Sequence, residues 1–358
     1  MMDDIAMPLI KAIFGIVLAT AAGHAVAGSA DWNLNGNAVL IHQSTNEINA
    51  ETEFSASGDL VITRQLGSGE WLAHVEASSA PTSDGVSSVY PEVNEDAGSA
   101  LDKNNNGRIQ LSELYYTHSF RNRQSVSLGL IDLSGLFDQS QIASDETTQF
   151  LGSSFARNIT IEFPDYTLGV VHNSKLSSNL EWRSAIASSN GLADNPERSY
   201  SELARLSADG KGMFGITSAS WQANEWLFRA GAWLNTADHQ SLDMTEDGLT
   251  NYGAYALAEY ARGQHAVNVR VGAANADTSQ AAKFASIAYR YQWDKLTTGV
   301  AFGRTFESSK LPGSTRSDTN HYELFLRYNL MPSLQLTGDV QRFQSATVMG
   351  VRLTWLYQ

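Results

Sequence analysis

Apolar and polar residues alternate at every second position over the last two hairpins of the chain. The apolar members of this series include Tyr322, Leu324, Leu326, Leu336, Val340, Met349, Val351 and Leu353. A period of two is typical of a β-strand whose faces meet different surroundings. Aromatic residues stand beside the turn or chain end, at Tyr328, Trp355 and Tyr357, and aliphatic residues occupy mid-strand. An apolar band with aromatic edges is typical of the lipid face of a membrane barrel.

The same alternation recurs along the chain and predicts about sixteen strands. Tight connections such as Gly67-Ser68 and Gly263-Gln264 alternate with long polar segments at 80–108, 133–165 and 190–212. Outer-membrane barrels show this asymmetry, with short periplasmic turns and longer extracellular loops. We therefore predict an all-β fold, a transmembrane antiparallel β-barrel over residues 28–358, in the outer membrane of a Gram-negative bacterium.

The first 27 residues have the pattern of a signal peptide. Lys11 precedes an apolar run at 12–22, and Ala25-Val26-Ala27 is a small-x-small cleavage site. No later stretch is long and apolar enough for a membrane-spanning helix. The chain has no cysteine, so strand closure by hydrogen bonds must replace disulfides. A net charge of −14 at pH 7 argues against a nucleic-acid partner.

Charged residues fall on the strand positions opposite to the apolar series. An arginine on the lipid face costs about 2–4 kcal/mol near the midplane, so these positions are predicted to face water. The predicted pore-lining residues are Arg183, Arg229, Arg270, Arg290, Arg327, Arg352, Glu259, Glu323 and Asp339. Most of these arginines come from the second half of the chain, and we expect them on one wall of the lumen.

The segment 133–165 is too polar and irregular for a strand, and loops of this length are commonly functional. The third long loop of a porin commonly folds inward and narrows the channel, and we expect the same of this segment. Its acids, including Asp138, Asp145 and Glu146, would then face the arginines across a constriction and set up a transverse field. The alternative is that the arginines only pair with Glu181 and the other lining acids.

Four aromatic residues are candidates for flat surfaces that contact sugar rings. Phe137 and Phe150 lie in the inward loop, and Trp233 and Tyr255 lie on or near the wet side of their strands. The alternative is that these rings pack the loop against the barrel wall.

Residues 102–113 match the twelve-residue calcium loop. The predicted ligands are Asp102, Asn104, Asn106, Arg108 through its carbonyl, Gln110 and Glu113. Calcium takes six to eight oxygen ligands at such spacings, and Gly107 occupies the position of the sharp turn. A structural Ca²⁺ would pin this acidic loop to the barrel rim; an Asn- and Gly-rich surface turn is the alternative.

Three short motifs resemble the carbohydrate-selective outer-membrane porins. They are Leu128-Gly129-Leu130-Ile131-Asp132, Gly135-Leu136-Phe137-Asp138 and Gln149-Phe150-Leu151, and the likeness extends over most of the mature chain. The resemblance implies a sixteen-stranded diffusion channel for sugars and other small polar solutes. It also implies that Phe137, Asp138 and Phe150 belong to the loop at the constriction.

The leading functional prediction is a passive porin that passes small polar solutes, with outer-membrane lipid around a monomer or homotrimer. A general or cation-preferring porin is the alternative within the same class. A calcium-binding barrel without a channel and a barrel lipase are the other hypotheses. The lipase requires a serine near a histidine, and the histidines are dispersed with no serine motif. We expect no enzymatic activity.

Overall fold

The computed structural model describes residues 32–206, 210–312 and 317–357, and the predicted signal peptide lies outside them. Within these ranges the chain forms sixteen strands. The first eight are β1 (Trp32–Thr45), β2 (Glu53–Leu66), β3 (Gly69–Ser78), β4 (Ile109–Ser119), β5 (Gln124–Ile131), β6 (Thr167–Lys175), β7 (Leu180–Ser188) and β8 (Met213–Ala223). The second eight are β9 (Trp226–His239), β10 (Leu249–Arg262), β11 (His265–Ala274), β12 (Ala281–Trp293), β13 (Leu296–Glu307), β14 (Thr319–Met331), β15 (Leu334–Phe343) and β16 (Ala346–Tyr357).

Each strand pairs antiparallel with its neighbours in sequence, and β1 closes the barrel against β16. The closing register places Ala38 opposite Trp355 and Ile41 opposite Arg352. Closure gives every strand a partner on both sides, which leaves no edge to hydrogen-bond with water or with another chain. The predicted sixteen-stranded antiparallel barrel is therefore confirmed.

The two faces of the wall follow the predicted alternation. On β16, Met349 and Val351 are 60% and 50% exposed on the outer face, whereas Val348 and Arg352 are 0% and 1% exposed inside. The outer face of β14 likewise carries exposed Tyr322, Leu324 and Leu326. The apolar residues thus form the outer surface, which fits a hydrocarbon environment.

The ends of the barrel differ as expected. One end has short turns, such as those at Asn224, Gly263 and Asp294, where a positive φ allows a two-residue hairpin. Exposed aromatics gather on this end at Trp71, Trp182, Trp221, Trp226, Trp293 and Tyr328. The other end carries the long connections, which hold three one-turn helices: α1 (Val86–Val89), α2 (Ser134–Phe137) and α3 (Ser153–Ala156). Two 3-10 segments lie there as well, Pro91–Val93 and Tyr200–Glu202.

None of the helices in the described residues has the length and apolar character needed to cross a membrane.

Candidate functional site

The connection between β5 and β6, residues 132–166, folds into the barrel. Its apolar residues pack against the inner wall, and Leu133, Phe137, Ile142, Phe150 and Leu151 are at most 1% exposed. This inward course agrees with the prediction for 133–165. The loop divides the lumen, because one of its sides is packed and the other faces water.

Aromatic rings hold the loop against the wall in two clusters. Phe137 packs in one cluster with Phe214, Trp233 and Tyr255, and the Tyr255 hydroxyl donates a 3.0 Å hydrogen bond to the Phe137 carbonyl. In the other, Phe150 meets Phe325 edge to face, with 4.9 Å between ring centroids. Phe137, Phe150, Trp233 and Tyr255 are 0%, 0%, 3% and 4% exposed. They offer no open face to a sugar, so the proposed sugar platform is wrong, and packing is their role.

The arginines lie behind this loop and donate to its backbone carbonyls. Arg183 donates to the carbonyl of Leu136, Arg229 to those of Phe137 and Gln139, and Arg270 to that of Phe155. Arg290 donates to the carbonyl of Gln141, Arg327 to that of Thr148, and Arg352 to those of Glu146 and Gln149. Except for Arg183, these arginines lie between β9 and β16, so they share one wall as expected. We call this row, with the strands that carry it, the arginine wall.

Arg270 is the most enclosed member of the row. Its side chain is 0% exposed, and its Nε lies 3.2 Å from Oδ1 of Asp138, which is 2% exposed. The same guanidinium donates to the Phe155 carbonyl at 2.7 Å and the Asp138 carbonyl at 3.1 Å. One arginine therefore joins both halves of the loop to the wall.

Two of the predicted lining acids, Glu323 and Glu259, also bind the loop, whereas Asp339 contacts Gln341 on its own strand. The Glu323 carboxylate accepts from the amides of Leu151 and Gly152 at 2.7 and 2.9 Å. Glu259 accepts from the Gln141 amide at 3.1 Å, and Asp339 accepts from the Gln341 side chain at 3.3 Å.

The predicted field geometry needs correction. We expected the arginines to face the loop acids across a constriction, but their guanidinium groups donate to the loop main chain, and Arg270 and Arg352 are 0% and 1% exposed. The reason is that unpaired carbonyls of an irregular loop need donors when they are buried, and arginine supplies them. The alternative of a lining ion-pair network describes Arg183, which lies 2.8 Å from Glu181, but carbonyl acceptors predominate in the rest of the row.

A second connection, residues 79–108, covers part of the β15, β16 and β1 wall. Val86 and Val93 pack against Phe343 and Val348. The Val93 carbonyl accepts from the side chains of Gln43 and Gln341 at 3.1 and 2.9 Å. An ion pair of 2.8 Å between Glu95 and Arg157 joins this connection to the inward loop.

A cavity of about 710 Å³ runs between the inward loop and the wall formed by β1–β3. Its acidic lining residues are Asp59, Glu76, Glu95, Asp132, Asp138, Asp145, Glu146 and Asp165. Among the described residues that line it, the basic ones are His74 and Arg157. Asn35, Asn37, Thr147 and Thr148 add amide and hydroxyl groups.

Sequence reasoning identified Asp138, Asp145 and Glu146 but missed the facing wall. Asp59, His74 and Glu76 were missed, although they follow the same alternation. Asp59 lies on the inner face of β2, and His74 and Glu76 lie on the inner face of β3, where they alternate with outward Trp71, Ala73 and Val75. We call these residues with Asn35 and Asn37 the acidic wall. The alternation of inward and outward residues along β2 and β3 was the signal that could have identified them.

Burial raises the pKa of several loop acids. Burial, and then the charges of Asp194 and Asp132, raise the pKa of Asp165 to about 7. Burial, with the nearby carboxylates of Asp96 and Asp145, raises the pKa of Glu146 well above its ordinary value. The charge of the cavity therefore changes near neutral pH.

The calcium-loop residues are not gathered around one point. Asp102 accepts from the amides of Asn104 and Asn106 at 2.8 and 2.9 Å. Glu113, the predicted bidentate ligand, lies in β4, where it accepts from the Asp132 amide at 3.0 Å and faces His74 at 3.4 Å. Gln110 accepts from Arg108 and donates to Ser112 inside the barrel. The second half of the motif, residues 109–113, is extended because it belongs to β4, so the candidate ligands do not form the compact loop of a calcium site. Calcium binding there stays a prediction.

Comparisons with known proteins agree with this geometry. The model of a family described as "Carbohydrate-selective porin, OprB family" matches residues 73–348. An uncharacterized protein of Aquifex aeolicus (strain VF5) is 35% identical over 78 residues, which are 22% of this chain and 25% of that protein. The match thus spans a quarter of that relative's length.

Two solved structures share the fold at low sequence identity. A structure of Pseudomonas putida OprB at high pH is similar with a TM-score of 0.72 and 12% identity, over 91% of this chain and 94% of that one. A triple mutant of the Rhodopseudomonas blastica porin is similar with a TM-score of 0.59 and 14% identity, over 91% of this chain and 100% of that one.

Proposed function

The chain belongs to the carbohydrate-selective porin, OprB family, and from that premise we propose that it is a passive channel for carbohydrates and other small polar solutes. It is an outer-membrane β-barrel of a Gram-negative bacterium and not an enzyme. Solutes diffuse down their gradient through the cavity beside the inward loop. Selection comes from size and from hydrogen bonding to the lining.

The observation that carries this proposal is the composition of the cavity lining. Carboxylate, amide and hydroxyl groups such as those of Asp59, Asn37 and Thr147 accept hydrogen bonds from sugar hydroxyls. The large buried aromatics of the inward loop are turned away from the cavity, into the barrel wall. A polar lining replaces some of a solute's water contacts without binding it so strongly that it cannot leave.

A second candidate is a cation-preferring porin, because the acidic side chains of the cavity outnumber His74 and Arg157. The arginine charges lie behind the loop main chain, so a passing ion meets carboxylates first. Low-dielectric walls strengthen such a field. Anions of the same size as a sugar should therefore pass less readily.

Liposome swelling tests both candidates with one series of solutes. Purified protein in vesicles is exposed to neutral sugars, amino acids of either charge, and organic acid anions of similar size. A sugar channel gives fast swelling with neutral sugars, and added sugar lowers the ion current in a planar bilayer. Faster swelling with cations than with anions of the same size, without sugar inhibition of the current, favours the cation-preferring porin. Absence of any stable conductance step would contradict both.

The remaining partners follow from the outer surface. We propose that outer-membrane lipid covers the apolar face carrying residues such as Leu324 and Val351. A monomer or a homotrimer stays a prediction, which the mass of the detergent-solubilised protein would decide.

A further inference from the structure

On the acidic wall, two carboxylates lie directly opposite each other. The register of β2 and β3 pairs Asp59 with Glu76, and both side chains line the cavity. Like charges in directly opposed positions of an antiparallel pair are destabilising. A cation between the two carboxylates would remove that repulsion.

A histidine imidazole stands at the same point. Nε2 of His74 lies 3.0 Å from Oδ1 of Asp59. One ligand atom from each of Asp59, His74 and Glu76 can be chosen so that all three atoms lie within 4.8 Å of one another. Among the described residues this is the group of three such side chains close enough to share a metal ion. Imidazole nitrogen with carboxylate oxygen is a ligand set that suits Zn²⁺ and its neighbours in the first transition row.

Neighbouring side chains orient these three residues, in the way that hydrogen-bond partners orient the ligands of metal sites. Nδ1 of His74 faces Oε2 of Glu113 at 3.4 Å, so a proton on Nδ1 leaves the Nε2 lone pair directed at the two carboxylates. Asn37 donates to Oδ2 of Asp59 at 2.8 Å, and the Ser112 hydroxyl donates to Glu76. These contacts leave Oδ1 of Asp59 and Nε2 of His74 facing each other.

We propose that Asp59, His74 and Glu76 bind a divalent transition-metal ion such as Zn²⁺ in the channel wall. Three protein ligands leave a further coordination position for water on the cavity side. Glu113 is a positioning residue that fixes the imidazole. A bound ion would neutralise the acidic wall and occupy part of the cavity, and this consequence for conduction rests on the proposed function.

Zinc binding to the purified full-length barrel in detergent tests the site directly. Equilibrium dialysis with Zn²⁺ measures stoichiometry and affinity, and X-ray absorption reports nitrogen and oxygen ligands near 2.0–2.2 Å, which is the range for His and carboxylate. His74→Gln should weaken binding by at least about ten-fold, and Glu113→Gln by about 10–100-fold, the usual cost of losing an outer hydrogen-bond partner. Asp59→Asn should weaken binding as His74→Gln does, and it replaces that variant if His74→Gln does not fold.

Two controls separate ligation from general attraction. His172→Asn removes a histidine from the outward side of β6, next in the alternation after exposed Leu168 and Val170, and should leave affinity unchanged. Glu95→Gln removes a cavity carboxylate whose ion pair among the described residues is with Arg157 and not with a histidine, and it should change affinity less than two-fold. Equal zinc affinity in the parent, His74→Gln and Asp59→Asn proteins would overturn the proposal.

Single-channel current measurements distinguish a failure of the proposed metal site from a failure of the proposed channel function. Zn²⁺, but not Mg²⁺ at the same concentration, should lower the single-channel current of the parent protein, and His74→Gln should abolish the effect. A zinc-binding barrel with no conductance in any condition would contradict the proposed function and leave the metal site standing.

Discussion

The arginine wall and the acidic wall differ in what covers their charges. On the arginine wall, the inward loop lies over the guanidinium groups, and its carbonyls accept their hydrogen bonds. On the acidic wall, Asp59, His74 and Glu76 face the cavity directly. Both sets occupy inward positions of their strands. The comparison teaches that facing the lumen does not mean facing the solute, because a loop can separate the two.

Removing the centre of the arginine wall is the strongest way to break this contrast. Arg270→Met should lower the free energy of unfolding by about 3–5 kcal/mol, because Asp138 would remain buried without its partner. Denaturant unfolding followed by circular dichroism measures the loss. The matched control is Arg262→Met at the end of β10, where the side chain is 74% exposed and lies 3.9 Å from Glu225; this change should cost at most about 1 kcal/mol. Equal stability of the two variants would contradict the anchoring role.

Crowding the aromatic contact should displace the loop without changing a charge. A Cβ at Gly299 would overlap the Phe325 ring and approach Phe150 to 2.7 Å, so Gly299→Val should destabilise by about 1–3 kcal/mol. A loop pushed off this wall moves into the cavity between the loop and β1–β3, so single-channel conductance should fall. Gly338→Val is the control, since a Cβ there meets nothing within 4 Å. An unchanged conductance and stability in Gly299→Val would show that this contact does not hold the loop.

Removing one charge on each side of the loop compares how strongly the cavity acids and the arginine wall affect ion selectivity. Asp145→Asn should lower the cation-to-anion permeability ratio by up to about five-fold, because unit charges 4 Å apart in water interact by about 1 kcal/mol. Arg290→Gln removes a charge whose guanidinium donates to the Gln141 carbonyl at 3.1 Å behind the loop, and should change the ratio less. Reversal potentials in a salt gradient measure both. A larger effect of Arg290→Gln would mean that the loop does not separate the arginine charges from permeating ions.

The smallest effect is a pH dependence of selectivity. Because burial raises the pKa of Asp165 to about 7, this group is neutral below that pH and negative above it. Cation preference should therefore rise as the pH increases from 6 to 8 and fall as it decreases. Asp165→Asn should flatten this part of the curve. Asp243→Asn is the control, since hydrogen bonds from Thr245 and Ser241 lower the pKa of Asp243 to about 2 and keep it charged throughout. Identical curves for the parent and Asp165→Asn proteins would contradict this assignment.

Part of the candidate site was predictable from the sequence alone. The segment 133–165 was identified by its length and composition, and its course into the barrel was expected from the third long loop of porins. The common wall of Arg229, Arg270, Arg290, Arg327 and Arg352 followed from the alternation along their strands. Asp59, His74 and Glu76 obey the same alternation and were overlooked. Calcium binding at 102–113 stays a prediction: the ligand spacing presumes a compact loop, whereas Glu113 lies within β4.

The order of apolar and polar residues is enough to specify the barrel, because their alternation sorts every strand residue to lipid or to the interior. The spacing of the strands along the chain also shows which end carries the turns and which the loops. Tertiary structure alone decided which interior charges meet the solute, since that depends on where the inward loop lies. Its backbone carbonyls, which no side-chain pattern reports, are buried against the arginine wall and are satisfied by guanidinium donors. The cavity and its acidic lining are what that packing leaves open.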